Sequence, residues 1–292
     1  MIDVLFRWIR VWLVITVFSV SACSSTTYVY NRLDFLLPWY MDDYVDLNAE
    51  QETYLDNLLV PFLAWHRAQE LPVYLIALDN IEDSLNQPLT AEIIGTIVTD
   101  FEAAWLRLQG EGLTQLLDLG ARLSDEQIAA FLEVLWEQQR EFEEEYLERT
   151  EAEFYEDNYD NTLDTLQDYI GRLSDVQRQW VRESSRQLLR SDRVWLQERA
   201  RWLTQLAILL ERKPGWQQRV RAAISARNDT ASPDYQHVYE HNMDVIYQLT
   251  AQVLNARNER QSRYLKDKLS DIRQDLEALI AQGKTDTAAR SD

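Results

Sequence analysis

Two histidines and a glutamate towards the end of the chain have a spacing that could support metal chemistry. His237, Glu240 and His241 form the pattern H-x-x-E-H, which is typical of one class of zinc hydrolases. Residues four positions apart share one face of a helix, so both imidazoles could bind zinc, with Glu240 as the base and Glu259 or Glu277 as third ligand. The same pattern also arises by chance in a glutamate-rich helical chain, and His241 falls on an apolar stripe. We therefore predict no metal and no cofactor, and a zinc hydrolase is the least favoured hypothesis.

A second group of residues combines an aromatic ring with two cationic side chains. Trp65, His66 and Arg67 stand in sequence just before Leu71-Pro72, and such a group could bind an anion or a protein partner. The same residues are also typical of a helix end, where the ring packs and the cations face the C-terminal dipole. The structural interpretation is favoured, and these three residues are the candidate partner-binding site. The sequence contains no phosphate-binding loop and no nucleophile elbow, and we predict no catalytic residue.

Long helices are the elements that must position these residues. Hydrophobic residues make up 46% of the chain and charged residues 27%, a balance that is typical of globular rather than disordered proteins. Glycine and proline are scarce, with 7 and 6 residues, so turns are few and the elements between them are long. Leucine, alanine, glutamate, glutamine and arginine dominate, and all of them favour helix. We predict an all-α fold, an elongated multi-helix bundle with long antiparallel helices.

Four similar segments each mark the start of a helix. In each one an Asn, Thr or Ser follows a leucine, and in three of them a glutamine stands three positions later. This is the capping-box arrangement, in which two side chains bond to free backbone N–H groups of the first turn. The segments are Leu47–Gln51, Leu89–Ile93, Leu123–Gln127 and Leu173–Gln177. We predict helices over about residues 49–70, 73–86, 91–119, 125–168, 175–213 and 233–281, with a short helix from Pro214.

Charge is segregated between the fourth and fifth of these helices. Acidic residues crowd the fourth and arginines crowd the fifth, and only a short segment around Gly171 links them. A short connection favours antiparallel packing of neighbouring helices. Equal counting outward from Gly171 predicts that Glu153 and Glu156 lie near Arg186 and Arg190.

The N-terminal segment is typical of a secretory signal. Arg7 and Arg10 precede an apolar run from Val11 to Val20, and Ser21-Ala22-Cys23 follows. A membrane span needs about 20 apolar residues, so this run is too short. The segment Val20–Cys23 resembles the lipobox of bacterial lipoproteins, which implies cleavage before Cys23 and lipid on its thiol and amino group.

The resemblance to lipoproteins also implies a location. Cys23 is the only cysteine, so lipidation would leave no free thiol. In Gram-negative lipoproteins an aspartate after the cysteine favours the inner membrane, whereas Ser24 here implies a periplasm-facing anchor in the outer membrane. The formal charge of −20 excludes nucleic acid as a favoured partner. The predicted regions are a signal peptide (1–22), a tether (23–30), a single helical domain (31–282) and a disordered tail (283–292).

Several local stretches resemble an uncharacterised family of Gram-negative lipoproteins, a domain of unknown function. This resemblance covers most of the mature chain, implies an all-α periplasmic lipoprotein and carries no activity. The residues that carry it are Tyr30-Asn31, Tyr44-Val45-Asp46, Trp65-His66-Arg67 with Leu71-Pro72, Glu141-Phe142 with Tyr146-Leu147, and Gly171-Arg172-Leu173-Ser174 with Gln177.

A second resemblance is to periplasmic chaperones and stress regulators of the Spy and CpxP type. Their L-T-x-x-Q motif is similar to Leu123–Gln127 and Leu173–Gln177, with serine in place of threonine. This chain is longer and strongly acidic, and a capping box alone explains the motif. We expect a non-enzymatic, lipid-anchored helical protein that binds a protein partner in the cell envelope. A chaperone-like client binder is the alternative, and an exposed apolar concave surface would favour it.

Overall fold

The computed structural model describes residues 25–289. These residues form a bundle of α-helices without a β-strand in the described range, which confirms the predicted fold class. Within the same range no helix combines the length and the apolar character that a membrane span requires. The helices are α1 (Ser25–Tyr30), α2 (Leu33–Asp42), α3 (Ala49–Trp65), α4 (Leu71–Ser84), α5 (Ala91–Gly120), α6 (Asp125–Glu148), α7 (Glu151–Ile170), α8 (Asp175–Ser185), α9 (Asp192–Leu209), α10 (Trp216–Ser225), α11 (Pro233–Asn255) and α12 (Glu259–Ala289), with a π-helix over His66–Glu70 between α3 and α4.

Three of the long predicted helices are each divided in two. The predicted helix 125–168 breaks at Arg149 and Thr150, because Thr150 and Glu153 form a capping box that starts α7. The predicted helix 175–213 breaks between α8 and α9. The predicted helix 233–281 breaks after Asn255, and Asn258 and Gln261 bond to each other's backbone N–H groups at the start of α12. At the first and third of these breaks, local capping therefore overrides the helix propensity of the surrounding residues.

Both ends of the described range differ from the sequence prediction. Residues Ser25–Tyr30, for which a tether was predicted, form α1, and Tyr30 is buried. The Thr27 hydroxyl donates to the Asp275 carboxylate at 3.2 Å, so α1 packs against α12. At the other end α12 continues to Ala289 instead of ending near residue 281.

The hairpin predicted around Gly171 is present between α7 and α8. Gly171 has φ = +70°, a backbone conformation that glycine adopts without steric cost. The predicted ion pairs, however, are wrong in detail. Glu156 pairs with Arg182 at 3.2 Å, one helical turn from the expected Arg186. Residues 171–174 between α7 and α8 are not helical, so equal counting of residues from Gly171 does not give equal distances along the two helices. Glu153 instead caps its own helix at Thr150.

Both arms of the hairpin are interrupted at the same level, where an ion cluster joins them. Asp192, at the start of α9, is 4% exposed. Its carboxylate accepts hydrogen bonds from Nε of Arg149 at 3.0 Å and from Nε of Arg190 at 2.8 Å. Arg190 also donates to the carbonyls of Tyr146 and Arg149. The free carbonyls at the end of α6 are thereby satisfied by a side chain from the neighbouring arm.

Glutamines of the capping boxes join helix starts in pairs. The amides of Gln51 and Gln127 donate to each other at 2.9 and 2.8 Å, which couples the start of α3 to the start of α6. Gln177 and Gln261 make the equivalent exchange between α8 and α12. Gln51, Gln177 and Gln261 are buried. Each of these glutamines therefore caps its own helix and fixes the position of a second one.

The largest buried cluster of apolar residues lies between α4, α7, α8, α11 and α12, and Tyr30 of α1 belongs to it. Helix α5 packs against α4 and α11 from the other side. The candidate site lies in this region, where α4, α5, α7, α11 and α12 come together.

Candidate functional site

His66 is half-buried and is the first residue of the π-helix that follows α3. Its Nδ1 is hydrogen-bonded to the hydroxyl of Tyr30 at 2.7 Å, and its Nε2 lies 3.4 Å from the hydroxyl of Tyr74. The Tyr30 ring stacks on the imidazole, with ring centroids 5.6 Å apart. All three residues of the candidate partner-binding site are half-buried, and the His66 ring faces Tyr30 and Tyr74.

Burial determines the protonation of this group. The pKa of His66 is lowered to about 4, mainly by loss of solvent; the Glu70 charge opposes this shift and the Arg67 charge adds to it. The imidazole is therefore neutral at physiological pH and has one donor and one acceptor nitrogen for its two tyrosine partners. Burial also raises the pKa of Tyr30 to about 12 and raises the pKa of Tyr74.

A buried ion pair completes what we call the His66 cluster, which consists of Tyr30, His66, Glu70, Tyr74 and Arg107. The Glu70 carboxylate is 4% exposed. Nε of Arg107, on α5, donates to both of its oxygens at 2.9 and 3.1 Å. This bond is the main cause of the raised pKa of Arg107. The cluster thus links α1, the π-helix, α4 and α5.

A cavity of about 300 Å³, partly open at the surface, lies between α4, α5, α7, α11 and α12. Among the described residues that line it none is charged, and most are leucine, isoleucine, valine, methionine or phenylalanine. The polar atoms of its side chains are hydroxyl groups, from Tyr74, Tyr169, Tyr239, Tyr247, Thr162, Thr165 and Thr250. Cavities of this size and lining are typical of small-molecule binding sites.

Tyr74 belongs to both the cavity and the His66 cluster. Its ring lines the cavity, and its hydroxyl lies near His66, whose other nitrogen is bonded to Tyr30 of α1. Helix α1 is therefore connected to the cavity wall through two contacts, from Tyr30 to His66 and from His66 to Tyr74. The arrangement suits an apolar group in the cavity, and Tyr74 joins the cavity wall to the neutral imidazole behind it.

The residues of the H-x-x-E-H motif do not converge on a site. His237, Glu240 and His241 are all exposed on α11. Nε2 of His241 lies 2.8 Å from the carbonyl oxygen of Gln187, so this side chain is hydrogen-bonded, but it is exposed rather than packed in the apolar stripe on which the sequence places it. In residues 25–289 no group of three or more His, Cys, Asp or Glu side chains could hold a metal ion. Cys23 lies outside the described residues.

The cavity was missed by sequence reasoning because its wall comes from helices far apart in the chain. Ala77 on α4, Ile97 on α5, Thr165 on α7, Met243 on α11 and Leu269 on α12 all line it. Each of these residues alone is typical of an ordinary apolar helix face. The available signal was the excess of tyrosine and threonine on otherwise apolar stripes, and it does not indicate a cavity by itself.

Comparison with protein-family models gives one match. The model described as a family of unknown function (DUF6279) matches residues 43–236, which include α3 to α10 and the start of α11. Comparisons with the curated proteins and with the solved structures find no match.

Proposed function

The chain belongs to the DUF6279 family, whose function is unknown, and from this premise we propose that it is a lipid-anchored binding protein of the cell envelope. In this proposal lipid on Cys23 attaches it to the outer membrane, and the helical domain faces the periplasm. The domain binds a ligand or a partner and catalyses no reaction. The observation that carries the proposal is the connection from α1 through the His66 cluster to the apolar cavity.

The start of the described range supports attachment close to a membrane surface. Only Ser24 stands between Cys23 and α1, and Tyr30 at the end of α1 is buried in the bundle. Six residues separate Cys23 from Tyr30, and even a fully extended segment of this length spans only about 20 to 25 Å. A lipid on Cys23 would therefore hold the bundle against the bilayer.

Exposed aromatic side chains stand at the same end of the protein. Tyr28 on α1 is 60% exposed, and Phe35 and Trp39, four residues apart on α2, are 65% and 61% exposed. Tyrosine and tryptophan favour the membrane–water interface. These residues would increase the area of contact with the bilayer and orient the bundle on it.

Replacing Cys23 with serine tests the anchor. Because lipidation needs the thiol, we expect the variant to be released from the membrane or to remain unprocessed. Fractionation of cells by sedimentation measures the change, and mass spectrometry of the mature protein measures the attached lipid. Replacing Ser24 with alanine is the matched control, which should leave the protein lipidated and membrane-bound. A Cys23→Ser protein of mature size that still sediments with the outer membrane would contradict the proposal.

Binding of a protein partner is the second candidate function. Val73 and Ile76 lie three residues apart on α4, and both side chains are exposed, Ile76 by 59%. Exposed apolar side chains on one helix face favour a protein contact. With a photo-reactive amino acid at position 76, irradiation of living cells should give a discrete crosslinked product. The same amino acid at Asn161, an exposed polar position on α7, is the control, and equal products from both positions would count against this contact.

A further inference from the structure

We propose that the apolar cavity binds an acyl chain of a membrane phospholipid. The identity of the ligand follows from the cavity itself, whereas its source rests on the proposed lipid anchor. The cavity has a volume of about 300 Å³ and no charged side chain among its described lining residues.

The volume and the lining match an alkyl chain. A methylene group occupies roughly the volume of one water molecule, about 30 Å³, so the cavity can hold a chain of about ten carbons. Ile97, Phe101, Met243 and Leu269 supply apolar surface from three helices. Since the wall offers no counter-ion, a charged head group would stay outside the cavity.

A peptide matches this cavity less well. An α-helix with its side chains is about 10 to 12 Å wide. At this width even a single helical turn takes up more than the cavity volume of about 300 Å³. An extended peptide would enter with its backbone N–H and C=O groups, and each one left without a hydrogen-bond partner in an apolar cavity is unfavourable. The hydroxyls of the lining could satisfy only a few of them. An acyl chain brings no such groups.

The position of the cavity indicates where the bound acyl chain comes from. Tyr74 lines the cavity and connects through His66 to Tyr30, which stands seven residues after Cys23. A bundle anchored at Cys23 therefore has this part of the cavity wall close to the bilayer. Phospholipid tails are the acyl chains present there at the highest concentration.

Photo-labelling in two arms tests the inference. In the first arm the full-length lipoprotein is reconstituted in vesicles of phosphatidylethanolamine and phosphatidylglycerol that contain a phospholipid with a diazirine near the end of one acyl chain. In the second arm the full-length Cys23→Ser protein, which carries no acyl chain of its own, receives a medium-chain fatty acid with the same diazirine and no vesicles. Mass spectrometry locates the adducts after irradiation. We expect adducts at cavity residues such as Ile97, Phe101 and Met243 in both arms.

Matched variants on α4 distinguish labelling inside the cavity from labelling at the surface. Ala77 lines the cavity, and a phenylalanine there would occupy part of it, so Ala77→Phe should weaken cavity labelling about tenfold. Asn80→Phe adds the same side chain at an exposed position and should leave cavity labelling unchanged. Thr250→Leu, on α11, serves as a second filling variant if Ala77→Phe does not fold, as judged by circular dichroism.

The arms also separate the possible failures. Cavity adducts in the second arm alone would overturn the phospholipid source, whereas the anchor is tested separately by the fractionation of the Cys23→Ser variant. Labelling confined to α1 and α2, or labelling that Ala77→Phe leaves unchanged, would overturn the cavity as the site. If a hydrophobic peptide with photo-leucine labels the cavity and neither lipid probe does, the occupant is a protein client and the acyl-chain proposal is wrong.

Discussion

Replacing Asp192 with alanine is expected to lower the free energy of unfolding by about 3 to 5 kcal/mol, because it removes one partner of a buried ion cluster. The Asp192 carboxylate bonds to Arg149 and Arg190, and the Arg149 side chain is only 16% exposed. Without the carboxylate, the Arg149 charge stays partly buried with one remaining acidic partner, the exposed Asp157. The ion cluster that connects the two arms of the hairpin then lacks its central carboxylate.

The measurement is denaturant unfolding of the purified protein near neutral pH. Asp175→Ala is the matched control, because Asp175 is also the first residue of its helix and also pairs with an arginine. Its side chain is 93% exposed, and exposed pairs contribute only about 0 to 1 kcal/mol. Both substitutions remove the same favourable interaction with a helix N-terminus. The difference between their losses in free energy of unfolding therefore measures the contribution of the buried cluster.

A double variant keeps the test specific. Replacing Arg149 and Asp192 together by leucine removes both charges, and part of the lost stability should return, since buried pairs exchange for apolar residues at little cost. A loss below about 1 kcal/mol in Asp192→Ala, equal to that of Asp175→Ala, would show that the cluster does not fix the joint.

Helix starts were the most predictable part of the fold. The Ser124 and Ser174 capping boxes were predicted from sequence and are present. The same signature at Thr150 was overlooked, because it lies within an acidic run whose residues favour helix. A capping box is a local pattern, so it can be read from sequence wherever it is looked for.

The pairing of the capping boxes was not predictable in the same way. Gln51 meets Gln127 and Gln177 meets Gln261 across distances of 76 and 84 residues. Which two helix starts come together depends on the packing of whole helices. The burial of His66 could not be predicted for the same reason, because Tyr30, which packs against it, precedes it by 36 residues in the chain.

Acid should destabilise this protein through His66 in particular. The pKa of the imidazole is about 4 in the folded state, against 6.5 for an unperturbed histidine. Between these two values the unfolded chain binds one proton more than the folded protein, so stability falls as the pH decreases from 6.5 to 4. The pKa difference corresponds to a loss of about 3 kcal/mol over this range. The groups that face the imidazole are Tyr30, Arg67, Glu70 and Tyr74.

The variant His66→Gln isolates this contribution. Glutamine can donate and accept hydrogen bonds but does not titrate, so the free energy of unfolding should depend less steeply on pH between 6.5 and 4. Carboxylates titrate in both proteins and cancel in the difference. His237→Gln, the same substitution at an exposed position on α11, is the matched variant against which His66→Gln is compared. If the curves of unfolding free energy against pH were parallel for the unmodified protein and His66→Gln, the imidazole would take up its proton within the folded state. In that case the neutral hydrogen-bonded link from Tyr30 to the cavity wall would not survive mild acid.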